Sequence, residues 1–245
     1  MKLELFSVDS ASPACSLFSD SYGESSSNMR LSESSKLESN MIVLHHLRIG
    51  RSMIAVWQLE ELGIDYELKV YHRDPETFLS QQDLKAVHPL GKSPVIEDDD
   101  LMISESSAIT TYLLEKYDTV HNFAPARCDT KKWANFTQWL HYPEGSVFGP
   151  LLVKMILLRS EESHAGLDAY SKREIALHLG HISNQLADNE FILGEDFSAA
   201  DFGVSYVIAM AKRLGQLEPF PKLEAYLERN FARPAYLRAV EKAVE

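Results

Sequence analysis

His88-Pro89-Leu90-Gly91-Lys92-Ser93-Pro94-Val95, followed ten residues later by Glu105-Ser106-Ser107-Ala108-Ile109, is the stretch from which the chain is read. Pro94–Glu97 and Leu101–Ile103 are short apolar runs around Asp98-Asp99-Asp100, and a turn that short joins only antiparallel strands. Ser104 is placed to cap a helix running through Tyr117, with Ile109, Tyr112 and Leu113 on one face. Upstream, Met41–His45 is an apolar strand candidate. Arg51–Leu62 has helical spacing through Ala55, Leu59 and Leu62, ending at the helix-stopping Gly63. Tyr66–Tyr71 alternates like a strand and Pro75–Ala86 reads as a short helix. The order is therefore β-α-β-α-β-β-α, whose first strand–helix–strand unit is parallel.

Downstream of Asp129 only long amphipathic helical stretches are found, so residues 129–245 read as an all-helical domain, joined through a linker at 119–128 to an α/β domain at 41–118. Phe197-Ser198-Ala199-Ala200-Asp201-Phe202 has the pattern of a capping box with a hydrophobic staple, a folding signal worth about 1 kcal/mol. Residues 1–40 are Ser-rich with little periodic hydrophobicity and read as an extension outside the fold. A translation start at Met41 would explain the abrupt change of character equally well.

Composition narrows the function. A net charge of -12 opposes a nucleic-acid backbone or an anionic membrane as main partner, although helix ends and single basic residues can still hold a small anion. Two cysteines, Cys15 and Cys128, form neither a disulfide framework nor a metal-spaced cluster, which fits a reducing, cytoplasmic setting. No run of residues has the length of a membrane span, and Glu4 and Asp9 stand where a signal peptide would be apolar. Nine histidines invite a metal, but His45 and His46 are adjacent in a strand and point to opposite faces. His178 and His181 lack a third ligand, so no metal is expected.

The Ser93-Pro94 and Glu105-Ser106 pairs, in this order of elements and ahead of a helical domain, resemble the cytosolic glutathione transferase superfamily with its thioredoxin-like first domain. Leu44-His45-His46-Leu47, Leu59-Glu60-Glu61-Leu62-Gly63, Trp139-Leu140-His141-Tyr142 with Glu144-Gly145-Ser146, and Ala232-Arg233-Pro234-Ala235-Tyr236 look most like its bacterial and fungal, yeast-like serine-type members. The resemblance implies that Pro94 is cis and that the backbone of Ser93 meets the cysteinyl part of glutathione. It also implies that Glu105 and Ser106 hold the γ-glutamyl end and that Lys92 meets the glycine carboxylate. A glutathione-dependent homodimer acting on a small hydrophobic electrophile is implied as well. Helix physics agrees, since the orphan N–H groups and positive pole of the helix after Ser104 favour a carboxylate while Glu105 pairs with an ammonium.

One position departs from that pattern. Where relatives place a hydroxyl that donates to the glutathione sulfur, this chain has Gly50 in Arg48-Ile49-Gly50-Arg51-Ser52. Ser52 either supplies that donation, with Arg51 and the helix dipole assisting, or only caps the helix. Tyr142 and Phe148 either line the electrophile pocket or belong to the core. Pro13-Ala14-Cys15-Ser16-Leu17 is similar to the catalytic-Cys segment of beta-class bacterial transferases, but no amphipathic helix follows it. The expected activity is conjugation or reduction of hydrophobic electrophiles with glutathione. The alternatives are a glutathione-dependent disulfide or peroxide reductase, and a non-catalytic binding protein of the same fold.

Overall fold

Helix α1 (Ser52–Leu62) is buried on nearly every side, including Ile54, Ala55, Val56, Trp57, Gln58 and Leu59. A helix buried on nearly every side must be covered on nearly every side, and the computed structural model, which describes residues 41–80 and 82–244, shows by what. The Ser-rich stretch 1–40, with Cys15, lies outside the described residues.

On one side lies a four-stranded sheet of order β2-β1-β3-β4. Strand β1 (Ile42–Leu47) pairs in parallel with β2 (Tyr66–Tyr71), setting Leu44 opposite Leu68, and antiparallel with β3 (Val95–Asp98), setting Leu44 opposite Ile96. Strand β4 (Leu101–Ser104) completes the hairpin on the outer edge. Helix α1 is the crossover between β1 and β2, and it stops at Gly63, whose φ of 66 lets its N–H reach Leu59 O. Helices α2 (Gln82–Val87) and α3 (Ser106–Tyr117) follow in the expected order.

Two helix starts differ from the sequence reading. The expected helix from Pro75 begins only at Gln82, because Asp74 Oδ1 accepts from the N–H groups of Glu76 and Thr77 at 3.1 and 2.7 Å and Phe78 takes a φ of 57. That local hydrogen bonding competes with the helix. Ser104 does not cap α3: it stays in β4 opposite Val95, and Glu105, at φ 75 and ψ 119, makes the break before Ser106.

On its other side α1 meets the helical domain. Helix α4 (Thr130–Tyr142) is capped by Asp129, which accepts from the Lys132 N–H at 3.1 Å. It runs into a π-helical turn (Pro143–Val147) and then α5 (Phe148–Leu157). Helices α6 (Ala165–Leu186), α7 (Ala200–Arg213), α8 (Pro221–Phe231) and α9 (Pro234–Ala243) follow. Beyond Ser104 the described residues contain one isolated bridge, Phe191 with Gly194, and no strand.

The α1–bundle contact is aromatic at its centre and ionic at its rim. Trp57 meets Phe202 and Tyr236 edge-on, with centroids 4.9 and 5.0 Å apart. Arg233 grips Glu61 with two nitrogens at 2.5 and 2.9 Å, and Arg238 reaches Glu60 at 2.9 Å. Thus the Glu60-Glu61 pair of the quoted motif holds α9 against α1.

The capping segment before α7 reaches further than expected. Asp201, fully buried, accepts from Ser198 N–H (2.8 Å), Ser198 Oγ–H (2.9 Å), Ile192 N–H (2.9 Å) and Tyr226 O–H (2.7 Å). Burial raises its carboxyl pKa, and these four donors work against that rise. The Ser198 hydroxyl donates to Asp201 instead of receiving from the helix, while Phe197 and Phe202 stack edge-on at 5.2 Å as the staple.

Candidate functional site

The Ser93–Pro94 peptide is cis. The Ser93 hydroxyl is turned into the sheet, donating to His45 O at 2.7 Å and accepting from Leu47 N at 3.1 Å, so its main chain is what remains for a ligand. Around it opens a polar hollow lined by Arg51, Lys92, Ser93, Pro94, Glu105 and Ser106. Five of the six predicted site residues therefore come together, joined by Arg51.

Each wall of the hollow has a local cause. Glu105 holds a positive φ without being glycine, a conformation costing about 1–3 kcal/mol that persists where the surroundings over-determine it. It stands immediately before α3, whose first N–H groups have no intrahelical acceptor and favour an anion. Lys92 has no ion-pair partner among the described residues. Arg51, at the start of α1, donates to Glu144 at 2.8 Å and lies 4.7 Å over the Phe148 ring, so the π-helical turn of the second domain anchors a cation of the first.

Ser52, the sixth predicted residue, is fully buried. Its hydroxyl donates to Leu47 O and accepts from Leu47 N–H, both at 3.2 Å, and it lines neither this hollow nor the apolar cleft beside it. Leu47 N–H is thus shared between the hydroxyls of Ser52 and Ser93.

That apolar cleft, about 600 Å³ including its open mouth, lies between α1 and the helical domain, with Gly50, Met53, Trp57, Tyr206 and Met210 in its wall. The two hollows adjoin through the β1–α1 loop: Gly50 faces the cleft and Arg51 the polar hollow. A Cβ on Gly50 would stand 2.8 Å from Leu47 O and 3.3 Å from Arg73 Nη2. Arg73 itself clasps the loop, donating to Arg48 O at 3.1 Å and Ile49 O at 2.9 Å. The glycine is thus a requirement of close approach and not merely a missing hydroxyl.

Comparison with known proteins places the chain in a family. The family model described as "Glutathione S-transferase, N-terminal domain" matches residues 39–115, and "Glutathione S-transferase, C-terminal domain" matches 168–229. Glutathione S-transferase 3 of Schizosaccharomyces pombe is 34% identical over 82% of this chain and 88% of its own length. The chain belongs to the glutathione transferase family. Glutathione S-transferase 1 of Saccharomyces cerevisiae is 26% identical over 83% of this chain and 95% of its own. A glutathione S-transferase structure from Actinobacillus pleuropneumoniae superposes with a TM-score of 0.76 at 36% identity, covering 83% of this chain and 93% of that one.

Several side chains of this transferase stand elsewhere than the sequence suggested, or were missed. Neither Tyr142 nor Phe148 lines the cleft. Tyr142 donates to or accepts from His178 Nδ1 at 2.6 Å, and Phe148 supports Arg51. Burial lowers the His178 pKa, so the ring favours its neutral form, while His181 stacks on Trp139 with centroids 5.4 Å apart. Both are packing histidines, and no metal-holding group occurs among the described residues. Tyr206, Met210 and Arg213 of the cleft were not singled out, and Glu144 was quoted only within a family motif, without its contact to Arg51. The spacing of the three α7 residues is that of any amphipathic helix, so no local signal marks them.

Proposed function

We propose that this glutathione transferase binds glutathione in the polar hollow and directs its sulfur past the Gly50–Arg51 loop toward an electrophile held in the apolar cleft. The observation that carries this reading is the adjacency of the two hollows at that loop, one polar with charged walls and one largely apolar. In this assignment Glu105 pairs with the γ-glutamyl ammonium, Ser106 and the α3 N-terminus take its carboxylate, the Ser93 main chain meets the cysteinyl unit, and Lys92 faces the glycine carboxylate. Such bonds to ionised groups are each worth about 1.5–3 kcal/mol.

Thiol activation is assigned to the start of α1. The positive helix end and the Arg51 guanidinium favour thiolate over thiol and so lower its pKa. The thiolate forms a bond to the electrophilic carbon, the leaving group departs with its electron pair, and the thiol proton passes to solvent. Ser52 acts as a positioning residue, because its hydroxyl must release Leu47 O before it can donate to sulfur. Gly50 also favours a second reading, glutathione-dependent reduction of disulfides or peroxides at the same site. We further assign the protein to the cytoplasm and to a homodimer. Leu101 and Met102 on edge strand β4, 42% and 45% exposed, support the pairing.

Titration calorimetry of the full chain with glutathione, alongside turnover of 1-chloro-2,4-dinitrobenzene, tests the reading. Saturable binding with turnover is expected. Absence of glutathione heat in the parent protein would sink it.

A further inference from the structure

The cleft is not uniformly apolar. Helix α7 presents Phe202, Tyr206, Ala209, Met210 and Arg213 to it, an i, i+4, i+7, i+8, i+11 stripe on one face. Two of these bring polar groups. The Tyr206 hydroxyl makes no hydrogen bond within the described residues, although its ring is packed beside Phe148 at 6.5 Å. Arg213 is the charged residue among those lining the cleft, and it has no carboxylate partner among the described residues. Its neighbour Lys212 does, at 2.6 Å from Glu224. Arg213 is exposed at the mouth of the cavity, so its guanidinium is open to an anionic group on a ligand entering the cleft.

Burial raises the pKa of the Tyr206 hydroxyl and so keeps it protonated as a donor, while the nearby Arg51, Arg213 and Arg73 act against that rise and Glu144 with it. Tyr206 and Arg213 stand seven residues apart on α7, about 10 Å along the axis at the helical rise, which is the span of a single substituted ring or a short alkenyl chain.

Resting on the transferase reading above, we propose that the preferred electrophiles are carboxylic acids with an aryl or alkenyl body, the body lying on Met53, Trp57 and Met210 and the carboxylate on Arg213. Tyr206 donates to the oxygen of the electron-withdrawing group on which negative charge grows as the carbon–sulfur bond forms. The carboxylate is a recognition handle and takes no part in bond making.

The probe is 4-chloro-3-nitrobenzoate against its methyl ester. In both, the glutathione sulfur bonds to the ring carbon, chloride leaves with the bonding electrons and the thiol proton goes to solvent. The acid-to-ester ratio of kcat/KM, each divided by its uncatalysed rate, exceeds one in the parent protein. It falls about two- to fivefold in Arg213→Gln, the order expected of one exposed charge pair, and is largely restored in Arg213→Lys. Raising ionic strength lowers the ratio in the parent and not in Arg213→Gln. Tyr206→Phe lowers kcat for both probes. A ratio unchanged by Arg213→Gln, with the ester still turned over, overturns the inference and leaves the transferase reading standing. No turnover of either probe by the parent, with no glutathione heat, overturns both.

Discussion

The polar hollow and the apolar cleft share a loop but differ in how the chain builds them. Apart from Arg51, the hollow comes from one continuous stretch, His88 to Ser106, in which a turn, a hairpin and a helix start follow each other without interruption. The cleft is assembled from the β1–α1 loop, α1, α7, α8 and α9, elements nearly two hundred residues apart at the extremes. The hollow therefore depends on local geometry, and the cleft on how two domains pack. Recognition of a constant co-substrate can rest on the first, while the second is free to vary with the electrophile.

The hardest blow to this contrast should fall on the cleft wall. Asp201→Ala removes a buried carboxylate that ties the start of α7 to Ile192 and Tyr226 and leaves four donors unpaired, and we expect about 3 kcal/mol or more of lost stability, at about 1–3 kcal/mol for each buried group left unsatisfied. Chemical denaturation measures the loss. At temperatures where the variant stays folded, electrophile KM should rise more than glutathione KM. An equal rise in both would show that the two hollows are not built independently.

On the other side, Glu105→Ala should weaken glutathione binding by about ten- to a hundredfold, the range for a lost bond to a charged group. Calorimetry reads this directly, and undiminished affinity would remove Glu105 from the site. Next comes the shared loop. Gly50→Ala places a methyl 2.8 Å from Leu47 O, against backbone with little room to yield. Overpacking of this kind costs about 1–3 kcal/mol, and displacement of the loop should lower turnover on both substrates together. A variant as stable and active as the parent would show that the Leu47 and Arg73 contacts do not hold the loop.

The smallest effect concerns the ionic rim that keeps the domains together. Burial pushes the Glu60 carboxyl up, but hydrogen bonds from Lys242, Arg238 and Tyr66 prevail and hold it below its ordinary value. A carboxyl lowered by folding stabilises the protein at pH above its unfolded pKa, and that contribution is lost as pH falls through the folded value. Acid should thus weaken the α1–α9 contact in the parent. Glu60→Gln should cost about 1 kcal/mol or less near neutrality, given its half-exposed partners, and flatten stability below about pH 4.5. Parallel acid limbs for parent and variant would place the pH sensitivity elsewhere.

What the sequence determined by itself was local. Hydrophobic periodicity identified the β-α-β-α-β-β-α order, because side-chain alternation and helical spacing are properties of neighbouring residues. Gly63 marked the end of α1, since a left-handed cap needs no tertiary partner. Ser93-Pro94 and Glu105-Ser106 could be singled out through resemblance to the glutathione transferases, because that motif is contained within a few positions. The late start of α2 was hidden, as the Asp74 turn competes with a pattern that periodicity alone favours. Only the tertiary structure decided that Ser52 faces Leu47, that Glu144 anchors Arg51, that Glu60 and Glu61 hold α9, and that Tyr206 and Arg213 enter the cleft. Each of these depends on which face of one element meets another. Spacing along a helix defines that face without saying what will cover it.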